Sequence, residues 1–309
     1  MNMPLITLKV PATTANLGSG FDTLGMALSL YNIFTVKELL PAGDYTCEIS
    51  GEGVDELKDA RKNMIVTSYL KACDEWGIDP QGFAFECCNA VPLNRGLGSS
   101  STAVVAGVMI ADFLGGRKHE EAELLRVMTK IEGHPDNVVP CCIGGMTVSC
   151  WDGESLRYVR LPALPDDLNV IAAVPDFEVH TEDARRILPE SVPFRDAVFN
   201  VSHASILCAA WAMGRWDLLR VGMEDRLHQS HRAKLFPGST GEKFFSEITN
   251  HPDCVANALS GSGPTMIAIV HGPAGKLSEA MCRIFTDGGA ASHFFVLNCS
   301  PSGTVVMQA

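Results

Sequence analysis

Apolar residues recur along the chain with two periods. Period two marks strands, and a spacing near 3.6 marks helices. Leu5–Val10 alternates and reads as a strand that Pro11 ends. SLYNIFTVKEL (29–39), rich in β-branched and aromatic residues, reads as a second strand. Asn63–Trp76 has helical spacing, with Asn63 as its N-cap and Gly77 as its stop. GFAFECCNAVP (82–92) is a strand leading into a glycine- and serine-rich turn. Ser101–Leu114 reads as a helix that is apolar on nearly every face and therefore buried, stopped by Gly115 and Gly116. His119–Glu132 reads as a second, amphipathic helix, and 138–153 as a turn and a strand. NVIAAVPD (169–176) is a strand, and Thr181–Ile187, Asp196–Met213 and Asp217–His228 read as helices. CVANALSGSGPTMIAIVHG (254–272) reads as a loop feeding a buried strand, Thr265–Val270. LPALPDDL (161–168), with two prolines and two acids, is the candidate linker and divides the chain into domains 1–160 and 161–309.

Composition narrows the class. The chain has 309 residues, 46% of them hydrophobic, which is enough for a globular protein with a substantial core. No apolar run reaches the roughly 18–20 residues of a membrane span. The start, MNMPLITLKVP, has no basic segment followed by a long apolar one, so no signal peptide is expected and the protein is expected in the cytoplasm. A net charge of −12 disfavours a nucleic-acid partner. A phosphate ligand would then need backbone N–H groups, a metal ion and a few placed cations. The eleven cysteines include two adjacent pairs, Cys87–Cys88 and Cys141–Cys142, but no zinc-site spacing. They read as reduced thiols acting as small buried hydrophobes.

The most informative stretch is VPLNRGLGSSSTAVVAG, Val91–Gly107. A helix N-terminus leaves unpaired N–H groups and a partial positive charge, and glycines just before it let backbone approach a bulky anion. Gly96, Gly98, Ser99, Ser100 and Ser101 supply that arrangement, a candidate phosphate cradle. It is neither a P-loop, since no lysine follows the glycines, nor a dinucleotide fingerprint, since the third glycine is missing. Taken by itself, an ordinary strand-to-helix turn is the alternative. Two further glycine-rich stretches flank it in sequence: VPATTANLGSGFDTLGMAL (10–28) and LSGSGPTMIAI (259–269).

The pattern P-x-x-x-G-L-G-S-S followed by an apolar helix resembles the nucleotide loop of the GHMP kinases. The two other stretches are similar to that superfamily's N-terminal substrate motif and C-terminal glycine motif. Four segments, PATTANLGSGFDTLG, EGHPDNVVP, TEDARRILP and HQSHRAKLFPG, resemble the homoserine kinases in particular. The chain departs in having Ser19 where many relatives have proline, and Ser101–Thr102 where many have alanines. The resemblance implies an α+β, two-domain GHMP kinase fold. Its N-terminal α/β domain would be ribosomal-protein-like and its C-terminal domain ferredoxin-like, with the site in the cleft between them. It also implies ATP-dependent phosphorylation of L-homoserine, Mg²⁺, a homodimer by family habit, and no membrane or nucleic-acid partner. Two alternatives stay open: another GHMP kinase with a different small hydroxylated substrate, and a non-catalytic ligand sensor of the same fold.

Residue by residue, the resemblance assigns Pro92, Leu93, Asn94, Arg95, Gly96, Leu97, Gly98, Ser99, Ser100, Ser101 and Thr102 to ATP. Glu132 would hold Mg²⁺ with a loop serine, Ser99 or Ser100, Ser99 being the one taken here. Mg²⁺ favours one or two carboxylates plus phosphate oxygens, which suits such a pair. Thr181 would lie near the transferred phosphate, with Arg185 beside it on one helix face. The substrate set is Asn16, Asp22, His134, Asn137, Arg185 and Arg232. A buried ammonium needs a carboxylate, for which Asp22 is the candidate. Planar guanidinium groups suit the α-carboxylate. Asp136 receives no role, because phosphoryl transfer needs positioning and charge neutralisation more than deprotonation. Gly261, Ser262 and Gly263 are given a bracing role.

Overall fold

The computed structural model describes residues 4–307, so the first three residues of the amino-terminal stretch read above lie outside it. In chain order the first half runs β1 (Ile6–Ala15), β2 (Leu24–Leu40), β3 (Tyr45–Gly51), α1 (Met64–Trp76), β4 (Gly82–Asn89), α2 (Ser99–Leu114), α3 (Glu121–Glu132), α4 (Pro135–Ile143), β5 (Met146–Trp151) and β6 (Leu156–Leu161). The second runs β7 (Leu168–Pro175), α5 (Thr181–Arg186), α6 (Phe194–Ala212), α7 (Leu219–Gly222), α8 (Gln229–Arg232), α9 (Thr240–Ile248), β8 (Cys254–Leu259), β9 (Met266–His271), α10 (Gly275–Asp287), β10 (Ser292–Leu297) and β11 (Val305–Met307).

Two sheets result. One follows the order β11-β1-β2-β4-β3, with β5 paired to β2 and β6. The other follows β10-β7-β9-β8, all antiparallel. Its strands and helices succeed one another as β7-helices-β8-β9-α10-β10, the split βαβ arrangement of a ferredoxin-like unit. The expected α+β architecture is therefore observed. β11 comes from the far end of the chain yet pairs with β1.

Local signals explain several elements. Asn63 caps α1 by accepting from Ile65 N at 3.0 Å, and Gly77 ends it in the left-handed region at φ +62°. Helix α2 is buried along most of its length, packing Val104, Val105 and Val108 among Phe83, Phe85 and Tyr69. It starts at Ser99, two residues earlier than expected. A second core spans both sheets, joining Leu24, Met26 and Leu28 to Val170, Ala172, Trp211 and Ile267.

Other expectations fail for identifiable reasons. Pro11 does not end β1: the strand continues to Ala15, and the register shifts between Pro11 and Ala12. A proline, which has no N–H, is tolerated at such an irregularity. Residues 135–143 form α4 rather than a turn, with Pro135 in its first turn and Pro140 inside it. The Asp136 carbonyl, which Pro140 cannot bond, lies against Gly25 of β2, where a Cβ would stand 1.6 Å from Asp136 O. The expected helix 217–228 is broken. The Asp225 carboxylate accepts from the N–H groups of Leu227, His228 and Gln229 and so starts a new turn. CVANAL is not loop but β8, paired to β9. The cysteines are free thiols, and Cys88 and Cys150 are exposed rather than buried.

Asn32 ties the first sheet to the loop entering α2. Its Oδ1 accepts from Ala90 N and Val91 N, both at 2.9 Å, and its Nδ2 donates to Thr102 Oγ1 at 2.9 Å. Asn32→Ala strands those buried groups. It is expected to cost about 2–5 kcal/mol, from one to three per unmet buried group, read from urea unfolding. A loss below about 1 kcal/mol would show that solvent or a rearranged loop replaces Asn32.

Candidate active site

The three glycine-rich stretches meet at a cavity of about 330 Å³. Its walls come from the β1–β2 loop (Asn16, Asp22), the loop into α2 and its first turn (Asn94, Arg95, Gly96, Gly98, Ser99, Ser100, Ser101), the end of α3 and start of α4 (Glu132, His134, Asp136, Asn137), α5 (Thr181, Arg185), α8 (Arg232) and the β8–β9 turn (Gly261, Ser262). Met64, Ile131 and Val179 add apolar surface.

The α2 end of the cavity is a helix N-terminus. Gly98 is the N-cap at φ +70°, and Ser99, Ser100 and Ser101 form the first turn, whose N–H groups have no partner within the helix. Gly98 is needed for a second reason as well. A Cβ there would sit 2.0 Å from Thr13 Oγ1 and 3.2 Å from Asn137 Oδ1. Across the cavity, Glu132 Oε1 accepts from Ser101 Oγ at 2.7 Å, and Oε2 lies 3.5 Å from Ser100 Oγ. Ser99 Oγ instead faces Val91 O at 3.5 Å.

The opposite end is charged. Arg185 and Asp22 form a two-pronged ion pair, Nη1–Oδ2 at 2.9 Å and Nη2–Oδ1 at 2.8 Å. The hydrogen bonds that Arg185 donates to Asp22 outweigh partial burial and raise the Arg185 pKa. Arg232 is 3% exposed, donating to Ala184 O at 3.1 Å and Gly261 O at 2.8 Å. Burial, then repulsion from Arg185, pull its pKa down to about 10. Phe21 lies beneath both guanidinium groups, 5.8 Å from Arg185 and 5.1 Å from Arg232. The His134 ring meets the buried Asp136 carboxylate, Nδ1 to Oδ1 at 2.6 Å. Burial opposes charge on His134, but Asp136 and, more weakly, Glu132 outweigh it, so its pKa is raised.

Residues 63–145 match the family of GHMP kinases N terminal domains. The homoserine kinase of Carboxydothermus hydrogenoformans is 40% identical over 86% of this chain and 85% of that protein. The homoserine kinase of Clostridium beijerinckii is 35% identical over 98% and 99%. The chain belongs to the homoserine kinase family. A crystal structure of the homoserine kinase from Cytophaga hutchinsonii superposes with a TM-score of 0.85 at 31% identity, covering 98% of this chain and 97% of that one. The α+β fold is thus the two-domain GHMP kinase fold.

Of the candidates that the family resemblance nominated, the cavity gathers Asn16, Asp22, Asn94, Arg95, Gly96, Gly98, Ser99, Ser100, Ser101, Glu132, His134, Asn137, Thr181, Arg185 and Arg232. Pro92, Leu93, Leu97 and Thr102 do not line it. Leu97 is fully buried in the core, and the Thr102 hydroxyl donates to Ser99 O at 2.7 Å. Arg95 touches the cavity but spends its guanidinium elsewhere. It donates to Pro175 O, Leu93 O and Asp176 O and pairs with Glu178, which ties the loop to the end of β7.

Sequence reasoning missed Thr13 and Ser260, buried hydroxyls one shell behind the cavity; nothing local distinguishes them from ordinary strand and turn residues. Asp136, given no role from the sequence, lines the cavity and bonds both His134 and Asn137.

Two tests follow from this geometry. Gly98→Ala forces a side chain into the left-handed region and against Thr13. It is expected to lose about 1–3 kcal/mol of stability and at least tenfold in nucleotide affinity. An unchanged affinity in a folded variant would remove the anion-cradle role. The second test concerns pH. Because the folded His134 pKa is raised, its contribution to stability is full below the unfolded value of about 6.5 and fades as pH rises through the folded value. The stability gap between the parent protein and His134→Gln should therefore narrow between pH 6 and pH 9, and a gap that widens would contradict the Asp136 pairing.

Proposed function

We propose that this chain transfers the γ-phosphoryl group of ATP to the side-chain hydroxyl of L-homoserine, yielding O-phospho-L-homoserine and ADP, a step of threonine biosynthesis. The observation that carries the reading is one cavity with a helix N-terminus at one end and opposed charges, Asp22 against Arg185 and Arg232, at the other. The first suits phosphate. The second suits a zwitterionic amino acid.

On this reading the ammonium of the substrate takes Asp22 and its carboxylate takes the arginines. Arg232 Nε and one Nη1 hydrogen go to carbonyl oxygens, which leaves Nη2 and the second Nη1 hydrogen for the acid. The exchange keeps charge paired throughout: the substrate brings the same two charges that Asp22 and Arg185 already satisfy in each other. Asn16 supports the ammonium side, since its Oδ1 accepts from Asp22 N at 3.0 Å and its Nδ2 donates to Gly261 O at 3.1 Å. Thr181 and Arg185, on one face of α5, stand beside the transferred group. The N–H groups of Gly98 to Ser101 take the phosphates, with the rest of the loop as framework.

Mg²⁺ belongs to the proposal. Among the described residues no cluster of three or more His, Cys, Asp or Glu could hold a metal by itself. Glu132 with the Ser100 and Ser101 hydroxyls is nonetheless a hard-oxygen set of the kind that completes itself with phosphate oxygens, so the residues fit the ion. When bound, the ion would neutralise charge building on the transferred phosphoryl.

A homodimer and a cytoplasmic location are further parts of the reading. Uncovered apolar side chains on α6, Phe194, Val198 and Val201, support the first. No described helix is long and apolar enough to cross a membrane.

The test is an ADP-release assay over a panel of hydroxylated metabolites, with and without Mg²⁺. L-Homoserine should be the preferred substrate. Homoserinol lacks the carboxylate and should lose about 1.5–3.5 decades in kcat/KM, matching roughly 2–5 kcal/mol for an unmatched buried charge. Equal turnover of homoserinol would mean that the carboxylate is not read. Glu132→Gln should cost about two decades or more in kcat. Near-parental turnover at saturating Mg²⁺ would place the metal elsewhere.

A further inference from the structure

Asn137 reaches the cavity from the first turn of α4. Its amide has an oxygen that accepts and an NH₂ that donates, and the end facing a ligand decides what the residue does. Its neighbours allow one consistent orientation. On one side is Asp136, 2% exposed, whose Oδ1 lies 3.3 Å from Asn137 Nδ2 and 2.6 Å from His134 Nδ1. Asn137 turns its NH₂ toward Asp136, Nδ2 donating to Oδ1. Its Oδ1 then faces β1, where the Thr13 hydroxyl donates to it at 2.7 Å. Thr13 and His134 thus stand at opposite ends of a single donor sequence: Thr13 donates to Asn137, and Asn137 and His134 both donate to Asp136.

Thr13 is fully buried and does not line the cavity. It is also held against the start of α2. Its N–H donates to Leu97 O at 3.1 Å, and its hydroxyl fills the space that a Cβ on Gly98 would occupy. One residue of β1 therefore touches both the anion cradle and the amide across from it.

We propose that Thr13 is a positioning residue that fixes Asn137 as a hydrogen-bond donor to the oxygen atoms of the reacting groups. The proposal rests on the kinase reading above. With one lone pair of Oδ1 engaged by Thr13 and one N–H by Asp136, the second N–H is the donor that Asn137 offers the cavity. Asn137 then donates to an oxygen of the reacting groups. The orientation also matters for the electrostatics. A flipped amide would set its oxygen against Asp136, oxygen facing oxygen.

Thr13→Val removes the hydroxyl and keeps the branched shape. We expect kcat to fall about tenfold to a hundredfold, with nucleotide affinity by calorimetry changed less than about threefold. Thr13→Ser restores the hydroxyl and should recover kcat to within about threefold. In an Asn137→Ala background the residue to be oriented is gone, so Thr13→Val should cost less than about twofold more. Parental kcat in Thr13→Val, or an undiminished loss in the Asn137→Ala background, overturns the proposal. A second readout needs no turnover. The side-chain NH₂ signal of Asn137 in a ¹⁵N spectrum, assigned by its loss in Asn137→Ala, should shift and exchange faster with water in Thr13→Val. An unmoved signal also overturns the proposal. If the parent protein releases no ADP with any metabolite of the panel, the kinase reading fails, and the NMR experiment still decides the orientation.

Discussion

A buried hydroxyl holds the cavity together. Ser260, fully buried, lies 2.8 Å from Thr14 Oγ1 and donates to Gly96 O at 2.6 Å. Around it the loops satisfy one another's backbone: Gly261 N donates to Ala15 O, and Thr265 N to Arg95 O. Loops far from water must find partners for every N–H and C=O, and these loops have little regular structure of their own to supply them. Three segments separated by about 80 to 250 positions thereby become one rigid wall. The site is made of loops, yet each loop is hydrogen-bonded to the other two.

The same constraint decides what could be read from the sequence. The Asn63 cap, the Gly77 stop and the buried α2 depend on neighbours within a turn or two, so they were legible. Helix α4 was not, because Pro140 is a breaker by every local rule, and the bare Gly25 that leaves room for Asp136 O lies more than a hundred residues away in sequence. The broken helix near Asp225 follows the same logic, since its carboxylate competes for backbone N–H groups that a periodic pattern assigns to one helix. In the site, the motif residues bearing charge or bare backbone were legible because their chemistry shows in their identity. Thr13 and Ser260 were not, since a threonine in a strand and a serine before a glycine are ordinary until the fold brings them together. Arg95 shows a role the sequence did not indicate: it lines the cavity, and its donors also reach the carbonyl oxygens at the end of β7 and tie the loop to that strand.

Charge in the cavity is distributed unequally, and this bears on how a zwitterion would be recognised. Arg185 already has Asp22 as a close bidentate partner, so a carboxylate that approaches Arg185 replaces one anion by another and gains little. Arg232 is different. It is buried, its two bonded donors meet neutral carbonyl oxygens, and Asp22, Asp136 and Asp225 offset burial and repulsion only in part, which leaves its pKa near 10. An arriving carboxylate would supply the negative charge that Arg232 lacks and reduce its repulsion from Arg185 together. On the proposed reading, then, Asp22 and Arg185 satisfy each other's charge, while the buried cost at Arg232 is the part of the binding energy that an acid alone can recover. Phe21 serves that division: its ring lies under both guanidinium groups and 5.1 Å from the His228 ring, so the loop bearing Asp22 is packed against the arginines it must face. His228 Nε2 in turn contacts Gly18 O at 2.8 Å, and Ser19 Oγ donates to Gly222 O at 2.6 Å. At that position a proline would offer no such donor. In this chain the substrate loop is thus fastened from below by a hydroxyl of its own, and the opposed charges above it need not hold the loop in place as well.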